Sequence, residues 1–567
     1  RPGYRAPRAW RGSRQRAHLF TPAAAPDQVG VSPSGAAAMS WVSHLPPAKT
    51  RQDPQGETAM GILDSVPMLR DRPARLELPA WVGEAVDTSG EVPVLQLFID
   101  GTWRRSSGGE TIDVHSPIDG GLVTRAQRAH REDVEAAIVA ARAAREGFQA
   151  LPAARRLAIC EDAAELIADR LPAFVDAIVV ELGKTPEAAE SEADAARERL
   201  ELVREEVRKI FGEYLPGDWI PDAIGKRAVV IREPVGTVAA IGPFNYPLFL
   251  SASKIIPALA AGNTVVAKAP SADPTALALF TRVLQEAGLP PGVLNYVTGP
   301  GSEIGDTFAT HQDVSMVSFT GSTFVGRRIS ELLGPKPLHL ELGGNAVAIV
   351  LADADLDLAV EKTVQGAYKS AGQRCDAISR VFVERSVYDE YVERAAAEAE
   401  GWTLGDPRAE GVRVGPVVDA DAAGWVNGLV QDAVDKGAKL LVGGEAEAAY
   451  HQPTVLADVP LEADILWEEQ FGPALPVLPV AGLEEALEIA NRSRYGLDSA
   501  VFTTNLDRAW KAARGLQVGM VTVNDAPQHG VGHFPFGGRK PDSGLGREGL
   551  GYSIDECTEL KTIVLPT

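Results

Sequence analysis

The chain has 567 residues, a formal net charge of −22, 45% hydrophobic residues and three cysteines. That length exceeds one ordinary core and predicts two large domains with smaller additions. The acidity excludes nucleic acid as a partner, no apolar run reaches the roughly 18 residues of a membrane-spanning helix, and three cysteines at unrelated spacings exclude a disulfide framework or zinc cluster and predict a reducing, cytoplasmic setting.

Arg1, Arg5, Arg8, Arg11, Arg14 and Arg16 open the chain without an acid, while Pro2, Gly3, Pro7 and Gly12 oppose the amphipathic helix of a transit peptide. Residues 1–93 therefore read as a disordered or artefactual leader and extension, with a native start at Met39 or Met60. A strand is predicted over 94–99, ending in the turn pair Asp100-Gly101, and helices over 133–148, 155–170, 172–183 and 186–211, the last capped by Thr185 with Pro186 in its first turn.

Beyond Trp219 the texture alternates. Strands are predicted over 229–231, 237–241, 264–267, 293–297, 316–319 and 346–350, with helices over 254–260 and 275–287, the latter between Asp273-Pro274 and Gly288. A second series over 342–538 adds strands at 380–383 and 521–524 and helices at 387–399 and 420–436. Such alternation implies doubly wound parallel sheets, which bind ligands at the carboxyl ends of their strands. Residues 559–565 read as an exposed edge strand open to another chain. The acidic excess, spread along the helices with lysine scarce beside arginine, resembles proteins of high-salt cytoplasms.

The chemistry concentrates on Cys375 in Gly372-Gln373-Arg374-Cys375 and on Glu341, 34 residues earlier in Glu341-Leu342-Gly343-Gly344. A cysteine attacks a carbonyl carbon as the thiolate, and Arg374 with a glycine-bearing approach would lower its pKa and present backbone donors to an oxyanion. Cys160 and Cys557, among apolar neighbours, read as small buried hydrophobes. Gly321-Ser322-Thr323-Phe324-Val325-Gly326 follows a strand and opens a helix, a variant of the glycine pattern that seats a diphosphate. Lys268 ends another strand, where it can donate to ribose hydroxyls or a phosphate.

Four separated motifs, Pro243-Phe244-Asn245-Tyr246-Pro247, Phe319-Thr320-Gly321-Ser322-Thr323, Glu341-Leu342-Gly343-Gly344 and Gly372-Gln373-Arg374-Cys375, together resemble the aldehyde dehydrogenase superfamily from about Phe98 to Val564. The resemblance implies two doubly wound α/β domains plus a small β element: a Rossmann-like NAD(P)-binding domain over 94–216 and 235–341, a catalytic domain over 342–541, and an oligomerisation element over 217–234 and 552–567 that joins a homodimer or homotetramer. It implies oxidation of a small-molecule aldehyde through a thiohemiacetal and thioester on Cys375, with Asn245 and the Cys375 backbone N–H holding the oxyanion and Glu341 activating water, so that a free acid is released; no metal is implied. Lys268 belongs to the implied catalytic and cofactor sets, joined in the latter by Ser271, Gly321, Ser322, Thr323 and Gly326, with Glu469 on the nicotinamide ribose and Phe471 by the ring. Superfamily members preferring NAD often carry glutamate at the position of Ser271; serine leaves room for a 2′-phosphate, so NADP is favoured, with NAD the alternative.

The resemblance is nearest to the NADP-linked, non-phosphorylating glyceraldehyde-3-phosphate dehydrogenases, whose phosphate contacts match Tyr246 and Arg374. His529, in Gln528-His529-Gly530, stands where such enzymes can carry arginine, and a further helix arginine cannot be placed among Arg197, Arg199 and Arg204. Glyceraldehyde 3-phosphate oxidised to 3-phosphoglycerate is thus the expected reaction. An unphosphorylated lactaldehyde, glyceraldehyde or semialdehyde is the alternative, and a non-catalytic protein of this fold a remote one.

Overall fold

The computed structural model describes residues 61–529 and 534–566. The arginine-rich start and both candidate start methionines fall outside them. The fold is that of the expected mixed α/β chain with two parallel-cored sheets. In the first, strands lie side by side in the order Gly544–Leu545, Leu338–Glu341, Met316–Thr320, Thr237–Ile241, Thr264–Lys268, Leu294–Val297, Leu97–Ile99 and Thr102–Arg104. The five central strands are parallel and the outer ones antiparallel. From Thr237–Ile241 the chain winds outward one way and then the other, so the loops after Thr237–Ile241 and Met316–Thr320 flank the crevice at the switch point.

The second sheet runs Lys439–Val442, Thr454–Ala457, Ala474–Val480, Ile378–Glu384, Ala346–Val350, Asp498–Phe502 and Met520–Val523, parallel except for its first strand. Its central strands are buried on both faces, which is why they read as unbroken apolar runs. The chain passes from one sheet to the other through Gly343-Gly344 and returns to pair Gly544–Leu545 with Leu338–Glu341. Amino ends of the second sheet therefore face carboxyl ends of the first.

Three expectations are corrected. Residues 61–93 are not a loose leader: Ile62, Ala74, Val82, Ala85 and Val86 are buried, and this stretch bonds to the body through Asp406 N to Pro67 O (2.8 Å), Ala74 N to Asp119 (2.7 Å) and Leu63 N to Glu447 (3.1 Å). Its elements, Ile62–Ser65, Ala80–Ala85 and Val86–Asp87, are too short and proline-spaced to carry a periodicity. The 94–99 segment is two strands, Val94–Leu95 and Leu97–Ile99, in different sheets on either side of Gln96. Helices 155–170 and 172–183 are one, Ala153–Leu182, continuous through Pro172; Pro172 and Ala168 are exposed, so the carbonyl that loses its donor faces water.

The predicted tail strand, Thr558–Pro566, pairs along its whole length with Lys226–Pro234 of the same chain, which also pairs with Glu213–Pro216. Only its second edge lacks a strand among the described residues.

Candidate active site

Asn245, Gly321, Glu341 and Lys268 follow or end four adjacent parallel strands, so one rim carries them all. Cys375 reaches this rim from the second sheet, in the turn ahead of Ile378–Glu384. The turn is held in an uncommon shape, with Ser370 (φ 55°), Ala371 (φ 53°) and Gly372 (φ 71°) all left-handed. Two consecutive non-glycine residues in that region are a local cost of the kind that clusters at functional sites. Gly344 must be glycine: a Cβ there would stand 1.9 Å from the Cys375 carbonyl oxygen, so the loop after Glu341 lies directly on the cysteine's backbone. Asn245 is buried and donates one amide hydrogen to Gln373 O at 2.9 Å.

Cys375 is half-buried, while Cys160 and Cys557 are buried as expected. Burial pushes its thiol up to about 11, with His529 pulling the other way. His529 Nδ1 is 3.6 Å from Sγ, and Nε2 is 2.8 Å from Asp498 Oδ2.

Glu341 is 2% exposed and neither carboxylate oxygen has a hydrogen-bond partner. Burial raises it to about 8, against the pull of His339. His339, two residues back on the same strand and hence on the same face, has Nε2 3.9 Å from Glu341 and 3.7 Å from Glu548, and Nδ1 2.5 Å from Glu556. Lys254 bonds Glu548 at 3.0 Å with both side chains about fully buried. Desolvation opposes a charge on His339, but Glu548 and Glu556 outweigh it and raise the ring to about 9. Sequence reasoning missed this ionic cluster behind Glu341, since its members lie on separate elements and no spacing links them.

At the cofactor side, Ser322 caps helix Thr323–Leu333 by accepting from Val325 N at 3.3 Å, and Thr323 Oγ1 donates to Asp542 O at 2.7 Å. A Cβ on Gly326 would meet Leu342 at 2.4 Å, so that helix start sits tight on the chain leading from Glu341. Lys268 is buried with Ala269 O at 2.9 Å as hydrogen-bond partner, and desolvation lowers it to about 8. A buried ammonium with no carboxylate paired to it among the described residues suits ribose hydroxyls or a phosphate, and Ser271 beyond it is exposed. Glu469 Oε1 accepts from Gly344 N at 2.7 Å, and burial raises it to about 7. Phe471 (φ 51°) sets its ring edge-on to Phe244 at 5.8 Å. The buried ammonium of Lys268, the capped helix start at Ser322 and the Glu469 carboxylate are a donor and acceptor set that fits a dinucleotide.

Around Arg374 and Tyr246 the charges are already matched. Arg374 is buried, 3.6 Å from Asp376, and donates to Gly366 O at 2.9 Å. Lys184 lies 3.6 Å over the Tyr246 ring and bonds Glu192 at 2.6 Å, whose other oxygen accepts from Leu248 N and Phe249 N. Lys184, Glu192, Asp376 and Asp498 were not singled out from sequence. Asp376 alone had a signal, its place beside Cys375.

The Aldehyde dehydrogenase family matches residues 103–563. The chain is 40% identical over 468 residues to the NADP-dependent glyceraldehyde-3-phosphate dehydrogenase of Streptococcus equinus, spanning 82% of this chain and 98% of that protein. To the 3-sulfolactaldehyde dehydrogenase of Priestia aryabhattai it is 36% identical over 470 residues, 83% and 97% of the two chains. The NADP complex of NADP-dependent glyceraldehyde-3-phosphate dehydrogenase from Bacillus halodurans superposes with a TM-score of 0.81 at 38% identity, covering 83% of this chain and 99% of that one. Since the match takes in both sheets, the switch-point loops and the Cys375 turn, this chain belongs to the aldehyde dehydrogenase family.

Proposed function

We propose that the protein oxidises a short, polar, unphosphorylated aldehyde to the free acid with NADP. Cys375 adds to the carbonyl carbon, and Asn245 with the Cys375 backbone N–H receives the charge that develops on oxygen. Bound NADP would supply the hydride acceptor. Lys268, Ser271 and the helix start at Ser322 and Thr323 would hold its adenosine end, and Glu469 and Phe471 its nicotinamide end. Glu341 then takes a proton from the water that cleaves the thioester.

The observation that carries the substrate class is charge balance among the buried groups near Cys375 and Tyr246. Arg374 stands with Asp376, His529 with Asp498 and Lys184 with Glu192, so none of these three groups brings uncompensated positive charge to a phosphate dianion. The second reading, glyceraldehyde 3-phosphate, is favoured by the 40% identity to an enzyme named for it and by the presence of Tyr246 and Arg374.

A steady-state screen of lactaldehyde, glyceraldehyde, a semialdehyde and glyceraldehyde 3-phosphate, each with NADP and NAD, tests both. Higher kcat/KM for an unphosphorylated aldehyde is expected; a tenfold or greater preference, on the order of 1.4 kcal/mol, for the phosphorylated one overturns the first reading. In the same screen Ser271→Glu lowers the NADP/NAD ratio at least about tenfold, because like charges about 4 Å apart repel by about 4 kcal/mol at an effective dielectric of about 20. An unchanged ratio leaves Ser271 as a turn residue only.

We further infer a cytoplasmic homo-oligomer. The three unpaired cysteines support the compartment. The open edge of Thr558–Pro566, with Leu560 63%, Val564 62% and, in the neighbouring hairpin, Trp219 80% exposed, supports the assembly. Light scattering that returns a monomer mass at assay concentration refutes it.

A further inference from the structure

His529 is fixed from four sides. Its two ring nitrogens meet Cys375 Sγ (3.6 Å) and Asp498 Oδ2 (2.8 Å), its backbone N–H donates to Asp376 Oδ2 (3.1 Å), and Phe536 stacks on the ring with centroids 4.0 Å apart and planes 11° from parallel. Asp498 is 2% exposed and begins a strand buried along its whole length, so it cannot retreat into water. Because a carboxylate accepts at Nε2, the neutral ring carries its proton there and turns the Nδ1 lone pair toward the thiol. Arginine at this position could bind an anion but could not accept a proton.

We propose that His529, oriented by Asp498, is the proton acceptor that activates Cys375. The Sγ–H bond breaks, the proton forms an Nδ1–H bond, and the electron pair stays on sulfur. The products are a thiolate beside an imidazolium whose other N–H is bonded to Asp498. This rests on Cys375 being the nucleophile.

Among the described residues, the charged and titratable groups facing the ring are Asp498, Asp376 with its partner Arg374, Cys375 and, farther off, Glu341. Desolvation opposes the imidazolium, yet Asp498 and Asp376 outweigh it, so the proton that leaves Sγ is held on the ring and the thiolate–imidazolium pair is the form these acids favour. The same imidazole is the strongest influence lowering the Cys375 thiol against its burial. Two protons must move in each turnover, one from the thiol and one from the hydrolytic water. His529 on Sγ and Glu341 on the water divide that work, and each base is then free when its step comes.

The test is the rate of Cys375 alkylation by iodoacetamide across pH, read by peptide mass on the full chain without aldehyde or cofactor, with buried Cys160 and Cys557 as internal controls. His529→Gln and Asp498→Asn are compared with the unmodified protein, and NADPH binding and melting temperature check folding. The inflection for His529→Gln is expected at least about one pH unit higher, with neutral-pH alkylation at least about tenfold slower. Asp498→Asn moves in the same direction by less, and supplies the comparison if His529→Gln does not fold. Superimposable profiles for the folded variants overturn the proposal. Retained aldehyde oxidation in Cys375→Ala would sink the nucleophile reading instead, a result the alkylation profiles do not share.

Discussion

Cys375→Ala abolishes aldehyde oxidation, by more than about 10⁴-fold, while NADPH binds with an unchanged Kd. In covalent catalysis, loss of the nucleophile removes the pathway itself. The cofactor contacts proposed here lie elsewhere, at Lys268, Ser271, the Ser322 cap and Glu469. The turn that carries residue 375 is set by backbone features that alanine does not touch: the left-handed run from Ser370 to Gly372 and the packing of Gly344 on the residue 375 carbonyl. NADPH fluorescence titration beside a steady-state assay reads both halves. Retention of more than a few per cent of activity with a folded variant would place the nucleophile elsewhere.

Glu341→Gln separates acylation from hydrolysis. A stoichiometric burst of NADPH persists in the first turnover, and the following steady state falls by about 10²- to 10⁴-fold, the usual worth of a positioned general base. The unmodified enzyme supplies a second signature. Burial holds the Glu341 carboxyl up at about 8, and the base acts only when ionised. Hydrolysis therefore rises with pH through about 8, and only about a tenth of the cofactor-free enzyme carries the carboxylate at pH 7. The variant lacks that limb. Stopped-flow NADPH absorbance at several pH values measures burst and steady state together, and a variant with normal turnover, or an unmodified enzyme whose deacylation does not change across this range, would exclude Glu341 as the base.

Phosphate recognition shows where reading a sequence stops. The resemblance names Arg374, but whether Arg374 has charge to offer depends on Asp376, Gly366 O and the packing that brings them together. Likewise the arginine-to-histidine difference at His529 reads as a weakened anion contact when only its neighbours in the chain are visible. Its partners lie 154 residues away at Cys375 and 31 away at Asp498, separations that carry no pattern.

The sequence by itself determined what depends on local chemistry and period. Apolar runs between turn residues located the buried parallel strands, and Thr185 and Asp273 marked helix starts that their side chains do cap. Stretches without periodicity were illegible: residues 61–93 pack as short turns and irregular chain, and Pro172 reads as a helix end although its exposed face lets the helix continue. Only the tertiary structure decided the electrostatics of the site. A carboxyl without hydrogen-bond partners at Glu341, a histidine clamped between thiol and aspartate, and cations paired by buried acids are set by desolvation and by distances of a few ångströms between groups from different strands. Those quantities come into being when the two sheets meet, and no residue spacing along the chain encodes them.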